Sequence, residues 1–570
     1  MSAPLLFLDF EFSQPAGEIP RPFCLSAYSE SVGWQDLWIE PGQPCPLPLK
    51  NHVMVAYLAS AELSCLQALG WPEPWGVIDL YVEFKRLWNG RQPINGYGLL
   101  GALQQYGIAG ISEVEKADYR NLAIRGGPFT PDERKALQAY CRSDVEALVK
   151  LWQAMAGEFS TQEQALQALM RGEYMKPIAA MESRGVPVDM GSHHWIIQNW
   201  QAIKADIVAQ VNVEYGCFQG LSFNETLFRR YLEAQSIQWP TLPSGRLKLD
   251  QDTFKEKARS FPQLETLRQA RDALANMRKA SLTIGHDGRN RCMLSPYSSK
   301  TGRNQPSSSK FIFGNASWRR FLVKPRPGMA ILKIDYEQQE FGIAAALSGD
   351  GAMMEAYRSG DPYLAFAKQA GAIPADGTKE AYKTIRDQYK QASLAVQYGM
   401  GEKSLAAALG LSEYKASRLI KAHKATYGRF WLFVDACLLA AQEHGFIETN
   451  TGWRFCGRDA GRRTLQNWPV QATGADILRQ ACILLHREGF QLCAPVHDAL
   501  ILEIPAAGAE ATTARVQSIM EAASAQVLRG FTIRTEAELF PYPGRYIDKR
   551  GQGFWAMLQA RLESAKGAAA

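Results

Sequence analysis

The segment from Arg386 to Gly399, RDQYKQASLAVQYG, restricts the fold of this chain more than any other stretch. Read as an α-helix, it places Arg386, Lys390, Leu394 and Tyr398 on one face, because residues four apart lie one above the other. That face presents two cations, an apolar group and a ring. A nucleoside triphosphate presents its phosphates, sugar and base in the same order, and fixed cations can hold the phosphates. The alternative is a solvated amphipathic helix that binds nothing.

The length of the chain predicts several domains. At 570 residues it is too long for one hydrophobic core and indicates about three or four units. Its 46% hydrophobic and 21% charged residues are typical of a globular rather than a disordered protein. The net charge of +6, from 63 basic and 57 acidic residues, permits a polyanionic partner without requiring one.

The cysteines and the amino terminus indicate a cytoplasmic protein. The ten cysteines include no CxxC pair and no Cys/His cluster with zinc-ligand spacing, so we expect thiols in a reducing compartment. The opening MSAPLLFLDFEF has no basic region and becomes acidic before any signal-length apolar segment. No run approaches the roughly 20 apolar residues that span a bilayer.

The run LLFLDFEF predicts a buried strand that carries Asp9 and Glu11. Two residues apart on a strand, these carboxylates point to the same side. Burying two like charges together is costly unless cations hold them, so a divalent metal pair is the functional interpretation. The alternative is an exposed edge strand whose acids are solvated.

Further acidic residues follow in three later segments. VMVAYLASAEL predicts a strand and then a helix start with Glu62, and WGVIDLYVEF supplies Asp79. LQAYCRSDVEALVKLW is a periodic helix with Tyr140 and Asp144 one turn apart on one face. Carboxylates from two strands and a helix, with a tyrosine hydroxyl, can bind two metals and orient a water for phosphodiester hydrolysis.

Asp9, Glu11 and the helix with Tyr140 and Asp144 resemble the first and third motifs of the DEDD family of 3′→5′ exonucleases, in its tyrosine-bearing proofreading branch. The resemblance implies a ribonuclease H-like domain. It also implies that Asp9, Glu11, a middle acid and Asp144 bind the metals, and that Tyr140 orients the attacking water.

The middle motif departs from this family. The family usually has Asp where this sequence has Glu62. The longer Glu62 side chain can still reach the metal, or Asp79 can serve instead. We expect an active exonuclease, with its rate in question.

Residues 159–190 predict helices that end at Gly185, and residues 191–285 predict long helices interrupted at 239–250. A basic cluster lies in this region and comprises Lys255, Lys257, Arg259, Arg268, Arg271, Arg278 and Lys279. Such a cluster is usually a solvated helix face. The alternative is a surface that grips nucleic-acid phosphates.

Two aspartates in the second half of the sequence lie where strands end. In MAILKIDYEQQEFGIAAALSGD a strand gives way to an apolar helix, with Asp335 at the end of the strand. In CAPVHDALILEI two β-rich runs meet at a tight turn that contains Asp498. As a pair they can hold two Mg²⁺ ions, one activating a 3′-hydroxyl and one bound to a triphosphate. Separately, each is an ordinary turn aspartate.

Five ordered segments resemble the successive motifs of family A DNA polymerases, the bacterial DNA polymerase I group. They are TGR at 301–303, DYEQQE at 335–340, RxxxKxxxLxxxYG at 386–399, RTLQNWPVQATGAD at 463–476 and VHDA at 496–499. The resemblance implies extension of a DNA primer on a DNA template with deoxynucleoside triphosphates. It also implies Mg²⁺ as cofactor, two ions per active site with Mn²⁺ as a substitute.

The resemblance assigns roles at the active site. Asp335 and Asp498 would hold the metals, and Arg386 and Lys390 would bind the triphosphate. Leu394 would lie in the nucleotide-binding face of the same helix.

Tyr398 would stack near the templating base and pack against Glu340. Glu340 would exclude ribonucleotides by filling the place of the 2′-hydroxyl and leaving it unpaired. The residues implied near primer and template are Arg303, Arg463, Asn467, Gln471 and His497. For Arg463 and Gln471 the alternative is ordinary surface polarity.

Three positions depart from the family A pattern. Leu394 replaces the usual Phe or Tyr, so we expect changed incorporation speed and strong rejection of dideoxynucleotides. Ala499 stands where the family usually has a second acid, so Asp335 and Asp498 must suffice as acidic ligands. Gly342 stands where the family often has Arg.

We therefore predict an α/β fold with an exonuclease domain followed by a right-hand polymerase domain. The predicted boundaries are 1–155 for the exonuclease and 156–570 for the polymerase, with a thumb at about 191–285, a palm at about 286–350 and 455–570, and fingers at about 351–454. The nuclease motif begins at the first strand and leaves no room for a preceding 5′-nuclease domain. This arrangement is similar to phage-type polymerases, so we expect a monomer that replicates viral DNA with accessory proteins.

Two alternatives stay open. One is a polymerase whose nuclease domain is an inactive scaffold. The other is a non-catalytic primer–template binding protein, against which the presence of Asp335, Asp498, Arg386 and Lys390 argues.

Overall fold

The computed structural model of the protein describes residues 3–109, 113–277, 282–314 and 316–569. The chain forms two compact units. The first contains Met1–Gly185, Met293–Pro306 and Gly328–Leu539, and the second contains Val186–Cys292, Ser307–Pro327 and Phe540–Ala570. Arg278 and Lys279 of the predicted basic cluster lie outside the described residues, as does the side chain of Arg259.

The amino-terminal part of the first unit combines strands and helices. Its elements are β1 (Leu5–Ser13), β2 (Arg21–Ser29), β3 (Gly33–Trp38), β4 (Val53–Ala56), α1 (Ser60–Ala68), β5 (Gly76–Asp79), α2 (Leu80–Trp88), α3 (Leu99–Gln105), α4 (Glu113–Arg125), α5 (Pro131–Met155), α6 (Gln162–Glu173) and α7 (Met175–Arg184). The strands form one mixed sheet in the order β3-β2-β1-β4-β5. β1 is antiparallel to β2 and parallel to β4.

This sheet is covered by α5. The helix begins at Thr130, whose side chain accepts a hydrogen bond from the N–H of Glu133 while the Glu133 carboxylate accepts one from the N–H of Thr130. Buried Val55 and Ile78 of the sheet share a hydrophobic core with Leu148 of α5. This packing places the middle of α5, around Cys141, against β1.

The second unit is largely helical. Before residue 328 its elements are β6 (Val186–Pro187), α8 (Met190–Gln198), α9 (Trp200–Tyr215), β7 (Phe218–Gln219), β8 (Ser222–Phe223), α10 (Glu225–Ala234), α11 (Gln251–Ser260), α12 (Glu265–Met277) and β9 (Arg289–Asn290). Two arginines of the basic cluster have protein partners here. Arg268 pairs with Glu265 and Asp272, and the Arg271 guanidinium lies 4.1 Å from the ring centroid of Phe223.

The remaining elements begin with the strand that starts at Met329. They are β10 (Met329–Tyr336), α13 (Gln339–Ser348), α14 (Gly351–Arg358), α15 (Pro362–Gln369), α16 (Lys383–Gln397), α17 (Glu402–Leu409), α18 (Glu413–Thr426), α19 (Gly428–His444), β11 (Ile447–Glu448), β12 (Arg454–Phe455), α20 (Arg462–Arg487), β13 (Leu492–Val496), β14 (Ala499–Pro505), α21 (Ala509–Val527), β15 (Thr535–Pro541) and α22 (Gln552–Ala569), the last in the second unit. β10 lies between β14 and β15 in a sheet of order β13-β14-β10-β15. No helix among the described residues is both long and apolar enough to cross a bilayer.

Candidate active sites

Asp335 and Asp498 meet at one end of the β10 sheet. Asp335 pairs in register with Ala499 on the antiparallel strand β14, and Asp498 immediately precedes Ala499 in the two-residue turn after β13. The first residue of that turn is His497, which is exposed and has φ +60°. Burial and the nearby Asp498 raise the pKa of Asp335 to about 7. One oxygen of Asp335 is buried without a hydrogen-bond partner, and two adjacent carboxylates with such an oxygen fit a bound cation.

Glu340 lies on the first turn of α13 and contacts the carboxyl end of α16. The hydroxyl of Tyr398 donates a hydrogen bond to the Glu340 carboxylate. Arg303 contributes a weaker ion pair, with 3.9 Å between its guanidinium nitrogen and Glu340 Oε1. Burial raises the pKa of Glu340, and nearby Asp498 raises it further while Arg303 opposes the shift. The predicted contact of Glu340 and Tyr398 is therefore present.

A small pocket opens beside this pair. It is lined by Glu340, Gln397, Tyr398, Phe430, Gln466, Asn467, Val470 and Gln471. Four of these residues were predicted for nucleotide or DNA contact. Gln397, Phe430, Gln466 and Val470 were not: they carry no charge, and the resemblance assigned no role to the three of them that lie within the motifs at 386–399 and 463–476.

Residues of α20 hold the carboxyl end of α16. Arg463 Nε and Asn467 Nδ2 donate to the Tyr398 carbonyl at 3.0 Å and 3.3 Å. Between them, the buried Gln466 donates to the carbonyls of Val396 and Gln397 at 3.1 Å and 2.8 Å. Two side chains predicted to touch DNA thus contact the protein backbone here.

The predicted cationic face is present on α16. Arg386 and Leu394 are half-buried and Lys390 is exposed. The sequence did not indicate the partner of Arg386: its Nε lies 2.9 Å from Asp361 Oδ2, and a second nitrogen lies 3.2 Å from Oδ1. Arg386 and Lys390 also lie 5.4 Å and 5.7 Å from the ring centroid of Tyr363. Both cations thus lie near one ring, and Arg386 pairs with two carboxylates, since another of its nitrogens lies 3.0 Å from Asp387 Oδ1.

The structure explains one departure from the family A pattern. A Cβ atom on Gly342 would lie 2.5 Å from Ile533 Cδ1 and 3.0 Å from Tyr357. An arginine at this position would not fit without moving both side chains. Close packing around Gly342 of α13 therefore explains why no arginine stands at this position.

The second candidate site lies on β1 and α5. Carboxylate oxygens of Asp9, Glu11 and Asp144 come within 4.8 Å of one another. Glu62, near the start of α1, is 4% exposed and has one buried oxygen with no hydrogen-bond partner. Burial raises the pKa of Glu62 well above its usual range, and the charges of Asp9 and Glu11 raise it further. A buried acid facing other acids is the arrangement that a bound cation would stabilise.

Asp79 has a different environment. Its oxygens accept four backbone N–H groups, two from the start of α1 (Leu58 at 3.0 Å, Ala59 at 2.8 Å) and two from the start of α2 (Tyr81 at 2.9 Å, Val82 at 3.4 Å). Burial nevertheless raises the pKa of Asp79 to about 6. These contacts make Asp79 a cap that joins two helix starts.

Tyr140 lies beside the Asp144 carboxylate and donates a hydrogen bond to it. Burial raises the Tyr140 pKa, and the neighbouring charge of Asp144 raises it further. Its ring stacks on Tyr119 of α4, with 5.2 Å between centroids and 20° between planes. Tyr119 was not predicted at this site from the sequence, because the residues around it belong to no recognised motif.

The second half of the chain is similar in sequence to known proteins. Residues 307–538 match DNA polymerase family A. The DNA polymerase of Mycobacterium phage L5 is 28% identical over 257 residues, which cover 43% of this chain and 40% of that protein. DNA polymerase I of Chloroflexus aurantiacus is 24% identical over 373 residues, which cover 60% of this chain and 39% of that protein. The matched stretches therefore span less than half the length of these relatives.

A solved structure extends the likeness to nearly the whole fold. It is the POL domain of Pol1 from M. smegmatis, in complex with DNA primer-template and dNTP. The two chains superpose with a TM-score of 0.72 at 18% identity, over 94% of each. This likeness confirms the predicted α/β, right-hand polymerase fold.

Proposed function

Because residues 307–538 carry a family A DNA polymerase domain, we propose that this protein is a template-directed DNA polymerase. It would extend a DNA primer with deoxynucleoside triphosphates. The observation that carries this proposal is the junction of Asp335 and Asp498 at the end of two paired strands, with one buried oxygen of Asp335 lacking a partner.

The residues of this site divide the work of phosphoryl transfer. Asp335 and Asp498 would hold divalent cations, Mg²⁺ by preference, which when bound lower the pKa of the primer 3′-hydroxyl and neutralise charge on the phosphates. Arg386 and Lys390 would bind the triphosphate, and Arg386 would exchange its Asp361 contacts for phosphate oxygens. α16 would move toward the β10 sheet when a nucleotide binds.

Glu340 and Tyr398 would select the nucleotide. Their hydrogen bond fixes the Tyr398 ring at the end of α16, where a base can stack on it. The Glu340 side chain occupies the adjoining space, so a ribose 2′-hydroxyl would meet a carboxylate already engaged by Tyr398. Arg303, Arg463, Asn467, Gln471 and His497 would contact primer and template at this stage.

Primer extension tests the polymerase proposal. Asp335→Asn and Asp498→Asn should each lower the extension rate by more than about a hundredfold, because fixed charge at the reacting phosphate is lost. Asp376→Asn, a change at an exposed residue, is the matched control and should extend as wild type does. Extension by Asp335→Asn at the wild-type rate would contradict the proposal.

We also propose a 3′→5′ exonuclease site at Asp9, Glu11, Glu62 and Asp144. The clustering of three carboxylates within 4.8 Å supports it, together with the unpartnered oxygen of Glu62. Tyr140 would hold the attacking water against Asp144. A second metal-dependent site on the same chain would remove a mispaired 3′ nucleotide before extension continues.

The remaining expectations belong to this proposal. They are the domain boundaries near residue 155, a monomer that works with accessory replication proteins, and a cytoplasmic location in a phage-infected host. The ten cysteines form no disulfide among the described residues, which fits the cytoplasm, since disulfides persist in oxidising compartments.

A further inference from the structure

We call the chain up to residue 155 the nuclease-like part and the chain after it the polymerase part. Asn89 follows the last residue of α2 in the nuclease-like part and is 2% exposed. Its side-chain nitrogen donates hydrogen bonds to two backbone carbonyls far along the sequence, Lys300 at 2.7 Å and Arg454 at 2.7 Å. Its own carbonyl accepts the N–H of Cys456 at 2.8 Å. One buried amide therefore joins the nuclease-like part to two segments of the polymerase part.

The Lys300 carbonyl is a shared anchor. Trp468 and Trp453 also donate their indole N–H groups to it, at 2.8 Å and 3.3 Å. Three residues further on is Arg303, whose guanidinium lies 3.9 Å from Glu340. The position of Arg303 at the polymerase site thus depends on the fixed carbonyl of Lys300.

The turn between these two residues is closed and short. Ser299 receives the N–H of Gly302 on its carbonyl at 2.9 Å and the N–H of Arg303 on its hydroxyl at 2.8 Å. Gly302 has φ +75°, and a Cβ there would lie 3.0 Å from Trp453 Nε1. These two hydrogen bonds link Arg303 to Ser299, the residue before Lys300.

An adjacent buried ion-pair network holds the same two parts together. Glu83 of α2 accepts from Arg171 of α6 at 2.6 Å and 2.7 Å, and from Arg86 at 3.1 Å. Arg171 then donates to the carbonyl of Thr451 at 2.9 Å. This second join keeps α2 in place beside β12, so that loss of Asn89 alone would remove one of the three donors to the Lys300 carbonyl without separating the two parts.

We propose that Asn89 is a positioning residue of the polymerase site. It holds the 299–303 turn so that Arg303 stays beside Glu340 and can meet the primer–template. The nuclease-like part would then be a structural component of the polymerase site, in addition to any activity of its own. The contribution of Asn89 to DNA binding rests on the proposed polymerase function. The anchoring of the 299–303 turn by Asn89 does not.

Two substitutions separate the hydrogen bonds from the volume of the side chain. Asn89→Ala removes both donors, and Asn89→Asp keeps the shape but places a carboxylate against two carbonyl oxygens. Each should weaken primer–template binding by about tenfold, the amount that one or two buried hydrogen bonds contribute. Asn89→Asp should bind the primer–template at least as weakly as Asn89→Ala does. The KM for the deoxynucleotide and the degradation of single-stranded DNA should stay at wild-type values.

Hydrogen exchange of the DNA-free protein tests the anchor independently of any activity. The amides of Gly302 and Arg303 should exchange about tenfold faster in both variants, because opening of the turn becomes more frequent. Asn51→Ala, a change at an exposed residue of the same part, should alter nothing.

Unchanged exchange at Gly302 and Arg303 would overturn the proposal, and so would equal losses of extension and single-strand degradation. If wild type failed to extend a primer, the polymerase function would fail. Faster exchange in the variants would still support the anchor.

Discussion

At the residue scale, Glu62 and Asp79 show how environment separates two acids of the same nuclease-like part. Glu62 has a buried oxygen without a partner and faces Asp9 and Glu11. Asp79 accepts four backbone N–H groups from two helix starts. The structure therefore favours Glu62 as the fourth metal-binding acid and Asp79 as a helix cap.

These two acids predict opposite mutant phenotypes. Glu62→Gln should lower degradation of single-stranded DNA by about a hundredfold or more, because the cation site loses a charge, with little loss of stability. Asp79→Asn should retain most nuclease activity but lower the free energy of unfolding by about 1–2 kcal/mol, the usual worth of a helix cap. Nuclease rates and urea unfolding of both variants check this, and a reversed pattern would assign the metal to Asp79.

The raised pKa of Asp335 predicts a pH-dependent extension rate. The carboxyl has a pKa of about 7, so it carries its charge above that pH and holds a proton below it. Cation binding requires the charged form, so extension should fall about tenfold per pH unit below about pH 7. More Mg²⁺ should move the fall to lower pH by competing with the proton. If the pH midpoint of the fall in extension rate did not change with Mg²⁺ concentration, Asp335 would not be the group that controls the fall.

Sequence reasoning named candidate site residues but not their protein partners. Asp335 and Asp498 were identified because a strand end and a tight turn leave local signals, and β10 and β14 do bring them together. The Asp361 partner of Arg386 lies 25 residues away with no local pattern. Likewise, the sequence did not indicate that Arg463 and Asn467 donate to the Tyr398 carbonyl, and their contact with DNA stays a prediction. Pairings of this kind depend on how helices pack, which spacing along one helix does not encode.

At the element scale, α18 and α19 pack around a buried histidine. His423 is fully buried, and Trp431 donates its indole N–H to His423 Nδ1 at 3.2 Å. Rings of Tyr427 and Phe366 lie 5.0 Å and 5.4 Å from the imidazole. Burial lowers the pKa of His423 to about 3.

This histidine predicts acid sensitivity of the helical region. The folded pKa is below the unfolded value of about 6.5, so the neutral ring stabilises the fold above that pH. Stability should fall by about 1.4 kcal/mol per pH unit as pH drops below about 6.5 toward the folded pKa. His423→Gln keeps an acceptor for Trp431 but cannot titrate in this range, so its unfolding free energy should fall less steeply in acid. His444→Gln, at an exposed position, should retain the wild-type slope; identical slopes for His423→Gln and wild type would contradict the account.

The regular elements were largely predictable, and their interruptions were less so. The 386–399 helix was expected, and α16 covers its residues up to Gln397, with Tyr398 as the C-cap. α7 ends at Gly185 as predicted, where φ is +64°. The break between α6 and α7 at Tyr174 lies between Gly172 and Pro177, two residues that weaken a helix, but no break was predicted there from the sequence. Tertiary packing also holds it, since Tyr174 is 1% exposed and its ring lies against Tyr297.

At the scale of the whole molecule, the nuclease-like part shares one compact unit with a portion of the polymerase part. Residues Met1–Gly185 group with Met293–Pro306 and Gly328–Leu539. The sequence predicted a boundary near residue 155 from motif order and had no means of detecting what crosses it. The Glu83–Arg171 pair joins residues 88 apart, and Asn89 reaches Lys300 across 211. Such contacts leave no periodic signal in the sequence.

The central claim is that one chain carries two separate metal-dependent sites, one that extends DNA and one that shortens it. A labelled primer with a mismatched 3′ end tests this most directly, incubated with Mg²⁺ with and without the four deoxynucleotides, for wild type and Asp9→Ala. We predict that wild type shortens the primer without nucleotides, that Asp9→Ala abolishes shortening, and that Asp9→Ala still extends a matched primer. Extension without shortening by wild type would make the nuclease-like part an inactive scaffold, and loss of extension in Asp9→Ala would contradict two separate sites.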